Sequence, residues 1–266
     1  MQADRVRESF LSFFEERGHR RVASSSLIPP PESGLLLTNS GMNQFIPYFL
    51  GQAPAPFDRA VTVQKCFRAN DIENVGHTAR HLTMFEMLGN FSFGEYFKAE
   101  SIAWGFELVT EVWGVDPNRL WATVYDQDAE ALQVWQDIGL PRERIALRGK
   151  LDPAGEPANY WWTHAAGPAG PCSEIFVDRG PRYGPDGGPD VDEERFEEIW
   201  NHVFIQEQVD GACNFVAELP AKNIDTGSSL ERVVTVLQGL ESYFEADHVR
   251  PLVEVAESLS GKKLVW

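Results

Sequence analysis

The sequence has 266 residues, of which 24% are charged and 43% are apolar, values that exclude a disordered or fibrous chain. Forty acidic residues outnumber 23 Lys and Arg residues, and the resulting net charge of −17 excludes a broad basic surface for non-specific binding of nucleic acid or anionic membranes. The length suits one large domain, which we assign to residues 1–266.

The predicted elements alternate between helices and strands. Val6, Phe10, Phe13 and Phe14 share one helical face, and Gly18 lies where a C-terminal cap would follow, which predicts an N-terminal helix. Polar residues among the apolar residues of the later strands favour an antiparallel sheet with one working face. The predicted later elements are strands at 120–125, 173–178 and 198–206, and helices at 128–139, 228–239 and 247–260.

Cysteine content and hydropathy indicate a compartment. Cys66, Cys172 and Cys213 are too few and too scattered for a disulfide scaffold or a four-thiolate zinc site, which favours a reducing, cytoplasmic location. The N-terminus lacks the apolar core of a signal peptide, and no stretch approaches the ~20 apolar residues of a membrane span. We therefore expect no membrane partner and no zinc.

The densest group of cations lies in the segment 65–97, where a polar loop joins two apolar stretches. Arginine gives planar, permanently charged donors that suit phosphate, and so many cations in an acidic chain indicate a bound anion. The alternative is a solvated hairpin in which Arg68 and Arg80 pair with Asp71 and Glu73. The cations of this group are Lys65, Arg68, His77, Arg80 and His81.

A second group follows in NIDTGSSLERV, at 223–233. Asp225 precedes a glycine turn, and Arg232 lies at the start of an amphipathic helix, from which its guanidinium can reach a phosphate. Phe85 on the neighbouring strand offers a stacking surface for a base. Together these residues favour an ATP site, although the sequence has no G-x-G-x-x-G or G-x-x-x-x-G-K-[ST] loop. The alternative for Arg232 is an exposed helix residue paired with acidic neighbours.

These segments resemble the class II aminoacyl-tRNA synthetases, in the form found in the alanyl-tRNA synthetase family. The run KCFRANDIENVGHTARHLTMFEMLGNFSFGEYF resembles motif 2, SSSLIPPPESGLLLTNSGMNQFIPYFLG resembles the motif 1 region, and NIDTGSSLERVVTVLQG resembles motif 3. GPAGPCSEI and EIWNHVFIQ resemble the strands between them. The resemblance implies an α+β fold, the class II core of an antiparallel sheet flanked by helices, which binds ATP and Mg²⁺.

Carried over by position, the resemblance assigns the nucleotide-binding residues. It implies that Arg68 contacts the α-phosphate and the substrate carboxylate. Arg80 or His81, together with Arg232, would hold the β- and γ-phosphates. Phe85 would stack under the adenine.

The resemblance also implies an amino-acid site. Asp225 would bind the substrate α-amino group, with Gly227 beside it, and Trp161 and Asn201 would shape a small side-chain pocket. Glu174 and Glu198 are candidates for contacting Mg²⁺, the alternative being solvent-facing strand carboxylates.

The sequence departs from the family pattern at two places in these motifs. Ser229 stands where motif 3 normally has a second glycine, and we expect it to shrink or repolarise the pocket. Ala169 replaces a cysteine of the family's GPCGPC.

The leading hypothesis is an enzyme that makes an aminoacyl-adenylate from ATP and a small amino acid, by default alanine, and transfers the acyl group to tRNA(Ala). The resemblance ends near residue 260, so the tRNA-recognition, editing and C-terminal regions of the family are not represented, although 247–266 could begin a helical region. The sequence is then part of a synthetase or a stand-alone paralogue that uses a non-tRNA acceptor. A third alternative is a regulatory module without turnover. tRNA is a possible partner, and the oligomeric state stays open.

Overall fold

A computed structural model of the protein describes residues 1–69, 72–78, 81–153, 155, 157–163 and 166–264. The helices are α1 (Ala3–Glu15), α2 (Ile46–Phe49), α3 (Lys98–Glu107), α4 (Ala129–Asp137), α5 (Leu230–Gln238) and α6 (Arg250–Ser260). The strands are β1 (Arg20–Arg21), β2 (Arg59–Phe67), β3 (Met84–Phe93), β4 (Leu120–Tyr125), β5 (Ile145–Arg148), β6 (Tyr160–Trp162), β7 (Gly167–Asp178), β8 (Phe196–Val209) and β9 (Phe215–Ser229).

The strands in this part of the chain form one sheet in the order β1-β2-β3-β9-β8-β7-β4-β5, with β6 paired to β7. The four central pairings, from β2–β3 to β7–β8, are antiparallel, as predicted. Two pairs at the edges differ from this pattern, since β1 is parallel to β2 and β4 is parallel to β5. The second of these pairs is joined by α4, the helical crossover that parallel neighbours require.

The face of the sheet that packs on helices holds the larger core. The predicted N-terminal helix is confirmed as α1, and its Val6, Phe10, Phe13 and Phe14 are all buried in this core. Residues of α3 and α5 join the same cluster. Burial of these apolar side chains, at roughly 1.5–3 kcal/mol each, anchors the sheet to one layer of helices.

The opposite face carries a smaller apolar cluster and the working surface. Met42 and Phe45 of a 3-10 helix at Gly41–Phe45 pack there against Phe91 of β3 and Val203 of β8. The predicted strands at 173–178 and 198–206 cover only the second half of β7 and the middle of β8. Both strands lie inside the sheet and are buried along most of their length.

The structure also describes the three cysteines and the last helix of the sequence. Cys66, Cys172 and Cys213 are buried free thiols. None of the helices in the described ranges combines the length and apolar character needed to cross a membrane. The predicted helix at 247–260 is α6, and its role as the start of a further helical region stays a prediction.

Candidate active site

A cavity of about 400 Å³ opens on the working face, above the middle of the sheet. Most of the predicted site residues line it: Arg68, His81, Phe85, Trp161, Glu198, Asn201, Asp225, Gly227 and Arg232. Arg80 lies outside the described residues. Glu174 lines an adjoining cavity of about 300 Å³, which shares His81, Glu198 and Arg232 with the first.

Strand register explains why residues so distant in sequence meet. In the ladder between β8 and β9, Asn201 lies opposite Gly227 and Val203 lies opposite Asp225. Alternate residues of a strand share a face, so these four point to the same side of the sheet. Met87 of β3, which also lines the cavity, lies opposite Ser229 and shares that face. The floor of the cavity is therefore built by three neighbouring antiparallel strands.

Arg68 lies directly after β2, where its backbone is held by the opposing strand. Its N–H donates to the carbonyl of Thr83 at 2.8 Å, and its side-chain Nε donates to the carbonyl of Asn39 at 3.2 Å. The guanidinium carbon lies 4.9 Å from the centroid of the Phe85 ring, a cation–π distance. A planar cation thus lies over an aromatic ring at the cavity. The alternative pairing of Arg68 with Asp71 falls outside the described residues.

Arg232 projects from the first turn of α5 toward β8. Its Nη1 donates to the Glu198 carboxylate at 2.6 Å and to the Glu198 carbonyl at 3.2 Å, and its Nε lies 4.0 Å from the Glu197 carboxylate. Because these partners belong to the sheet, Arg232 is not the exposed helix residue of the alternative interpretation. It is a partly buried cation held at the edge of both cavities.

Ser229, where a glycine was expected, caps α5. Its Oγ accepts from the Arg232 N–H at 3.4 Å and donates to the Glu231 carboxylate at 3.0 Å. Glu231 in turn accepts from the Glu86 N–H at 3.1 Å. Ser229 was expected to shrink or repolarise the pocket. Its hydroxyl also has a second role, because it caps the N-terminus of the helix that carries Arg232.

Substitution at Ser229 tests the capping role. Ser229→Ala is expected to lower the free energy of unfolding by about 1 kcal/mol, because the helix loses its cap, whereas Ser229→Gly should cost only a few tenths of a kcal/mol. Urea unfolding followed by circular dichroism measures both. Equal losses in the two variants would contradict a capping role.

Asp225 and Asn201 supply acceptors at the other end of the cavity. The Asp225 side chain is buried, and no hydrogen bond to its carboxylate comes from any residue that the structure describes; burial raises its pKa to about 8. Asn201 donates from Nδ2 to the Glu174 carboxylate at 3.3 Å, while its buried Oδ1 has no partner among those residues. A buried carboxylate without a donor is costly, so this end of the cavity favours a cationic N–H donor.

Glu174 and Glu198 were the candidates for a metal. Glu174 Oε2 accepts from Thr123 Oγ1 at 2.7 Å and from Arg148 Nη1 at 3.4 Å, while burial and then the charge of Glu198 raise its pKa. Across the described ranges, no three or more His, Cys, Asp or Glu side chains cluster to hold a metal on their own. Glu174 and Glu198 supply only two ligands. They therefore fit Mg²⁺ only if substrate phosphates and water complete its coordination, as is usual for Mg²⁺ in proteins.

Sequence reasoning missed several residues around the two cavities. Tyr243 donates to Glu197 at 2.5 Å and lines the larger cavity with Ser40, while Arg148 lines the smaller one. Arg148 is the last residue of the short strand β5. A basic residue at the end of a strand could have been noted as a candidate in so acidic a chain. The others carry no local signal, because only the tertiary fold brings them to the site.

The chain is similar in sequence to known tRNA synthetases. Residues 5–264 match the family model for class II (A) tRNA synthetases. The chain is 50% identical over 273 residues to the alanine–tRNA ligase of Kineococcus radiotolerans and 52% identical over 267 residues to that of Frankia casuarinae. Each match covers 99% of this chain but only 30% and 29% of the relative, so the chain spans about a third of their length.

Solved structures agree at the level of fold. The histidyl-tRNA synthetase of S. aureus superposes with a TM-score of 0.56 at 12% identity, over 97% of this chain and 76% of that one. The predicted α+β architecture, a mostly antiparallel sheet flanked by helices, is therefore confirmed as a class II synthetase fold. With its family model matched along nearly the whole sequence, this chain belongs to the class II (A) tRNA synthetases.

Proposed function

We propose that this protein activates alanine with ATP, forming alanyl-adenylate, and supplies the alanyl group to tRNA(Ala). The observation that supports this most directly is one cavity with arginines at one end and the buried Asp225 carboxylate at the other. Such a cavity offers complementary charge to phosphates and to an ammonium group. The choice of alanine and of tRNA(Ala) follows the names of the relatives, and their 50% identity over 99% of the chain does not favour a paralogue with another acceptor.

The proposed reaction needs positioning and charge stabilisation rather than a protein nucleophile. A carboxylate oxygen of alanine attacks the α-phosphorus, a new P–O bond forms, and the bond to the β-phosphate oxygen breaks, so that pyrophosphate leaves. Arg68 would stabilise the charge that develops at the α-phosphate. Arg232 and His81 would hold the outgoing phosphates, with Phe85 against the adenine.

The amino-acid end would recognise a small substrate. Asp225 would accept hydrogen bonds from the α-ammonium group, with Asn201 Oδ1, which has no partner among the described residues, nearby on β8. Gly227 lines the cavity and has no side chain to fill it, although a Cβ there would meet its nearest neighbour, Met87 Sδ, only at 3.4 Å. Trp161 would limit the side chain that fits.

Mg²⁺ would be held by Glu174 and Glu198 together with substrate phosphates, and when bound it would offset phosphate charge. Arg68 and Arg232 would contact the phosphates independently of the metal ion.

Pyrophosphate exchange into ATP, measured with each standard amino acid, tests the proposal. Alanine should give the fastest exchange, and added tRNA(Ala) should become alanylated. Exchange with another amino acid but not alanine would overturn the substrate, and exchange without alanylation would overturn the acceptor. No exchange with any amino acid would favour the module without turnover.

Alanine binding is expected to release a proton near pH 7. With its pKa raised to about 8 by burial, Asp225 is mostly protonated at pH 7, and an ammonium ligand favours the ionised form. Affinity for alanine should therefore fall as the pH drops from 8 to 6, by up to about tenfold per unit. Calorimetry in two buffers with different ionisation enthalpies measures the number of protons released on binding. A binding enthalpy independent of buffer at pH 7 would contradict it, and Asp225→Asn is the control that should release none.

A further inference from the structure

The ladder between β3 and β9 opens directly behind the amino-acid end of the cavity. Leu88 lies opposite Ser228, and the next paired residues are Phe91 and Asp225. Between them, two residues on each strand lie outside the pairing, although β9 stays paired with β8 through the same stretch. The four residues of this gap are Gly89, Asn90, Thr226 and Gly227.

Side chains bridge the gap. Thr226 follows Asp225 and precedes Gly227, so its side chain points away from the cavity. The Asn90 N–H donates to Thr226 Oγ1 at 3.0 Å, and Thr226 Oγ1 donates to Asn90 Oδ1 at 2.6 Å. Both residues are almost fully buried, so water does not compete for these bonds.

The bridge continues to the end of α1. Asn90 Nδ2 lies 2.9 Å from the Tyr96 hydroxyl, which lies 2.9 Å from His19 Nε2, and His19 Nδ1 lies 3.0 Å from the carbonyl of Phe14. A carbonyl only accepts, and burial lowers the pKa of His19 to about 4, so neutral His19 donates from Nδ1 and accepts at Nε2. Every donor then has one acceptor, from Asn90 through Tyr96 to the helix.

We propose that Thr226 and Asn90 are positioning residues, whose side-chain hydrogen bonds fix the spacing of β3 and β9 and hold Asp225 and Gly227 at the substrate ammonium. The inference rests on the proposed role of Asp225 in amino-acid binding. Removing the Thr226 hydroxyl would leave the Asn90 N–H and Oδ1 unpaired behind the cavity. The strands would then shift where Asp225 and Gly227 lie, while Arg68, at the far end of β2, would keep its backbone contact to Thr83.

Steady-state kinetics of alanine-dependent pyrophosphate exchange test this. Thr226→Val keeps the shape but removes the hydroxyl, and we expect the KM for alanine to rise by about tenfold, the scale of one lost buried hydrogen bond. The KM for ATP should stay within about twofold, because the phosphate-binding arginines lie on other elements. Thr226→Ser keeps the hydroxyl and should restore the KM for alanine.

Thr62→Val is the matched control. Thr62 is a buried threonine on β2, opposite Gly89, and its Oγ1 has no partner within the described ranges. This variant should change neither KM. Thr226→Ala replaces Thr226→Val if the valine variant does not fold.

The outcomes separate the two hypotheses. Equal rises in the KM for alanine and for ATP, or no rise in either, would overturn the positioning role while wild-type exchange still supports the proposed function. A wild-type protein with no alanine-dependent exchange would instead overturn the proposed function.

Discussion

Replacing Arg68 by alanine is expected to lower the rate of pyrophosphate exchange by about a thousandfold while the protein stays folded. Loss of one donor to charge that develops in a transition state commonly costs about 10²–10³ in rate. Arg68 lies beside Phe85 at the cavity, where phosphate and adenine are proposed to meet. Arg68→Lys should recover only part of the rate, because a lysine lacks the planar pair of donors.

Arg182→Ala is the control for this experiment. The Arg182 side chain is 63% exposed, and it pairs with Glu241 at 2.6 Å, away from the residues that line the cavity. It should exchange at the wild-type rate. Near-wild-type exchange by Arg68→Ala, with an unchanged unfolding curve, would contradict a phosphate-binding role.

Replacing Asp225 by asparagine is expected to raise the KM for alanine by about a hundredfold. Asparagine keeps the shape but removes the charge, and a hydrogen bond to a charged group contributes about 1.5–3 kcal/mol, equivalent to roughly 10–200-fold in affinity. The KM for ATP should change much less, since Asp225 lies at the opposite end of the cavity from the proposed phosphate site. Burial of the ionised carboxylate is unfavourable, so the variant should be at least as stable as the wild type at pH 8 and above.

The pH dependence of stability distinguishes Asp225 from a carboxylate in an ordinary ion pair, whose ionisation stabilises the fold. The folded-state pKa of about 8 lies above the unfolded value of 3.8, so ionisation of Asp225 removes stability as the pH rises between these values. Asp4→Asn serves as the control, because Asp4 is 95% exposed on α1. An alanine KM that changes equally in both variants would exclude Asp225 from the amino-group site.

Local pattern was sufficient to predict the helices α1, α4 and α5, because each combines an apolar stripe with a recognisable end. The lengths of β7 and β8 were not predictable from alternation. Both lie between other strands and are buried on two faces, so side-chain polarity does not mark their ends. The parallel edges likewise depend on topology rather than on any residue of β1 or β5.

The candidate site divides in a similar way. Arg68, Phe85, Asp225 and Arg232 belong to motif segments with a strong resemblance, and the structure gathers them around one cavity. The ion pair of Arg232 with Glu198 could not be predicted, because it joins a helix to a strand 34 residues earlier. The bridge of Asn90 to Thr226 spans 136 residues and depends on the strand register.

The strand order has a consequence for how the protein folds. β9, which follows the other strands of this sheet in the chain, is inserted between β3 and β8, so the sheet consists of two separate halves until residues 215–229 have emerged. Contacts this distant in sequence form slowly, and unpaired strand edges invite aggregation. Because β9 also carries Asp225 and Gly227, the cavity is completed in the same event that joins the halves. A chain that has lost this strand loses both its central hydrogen bonding and its substrate site.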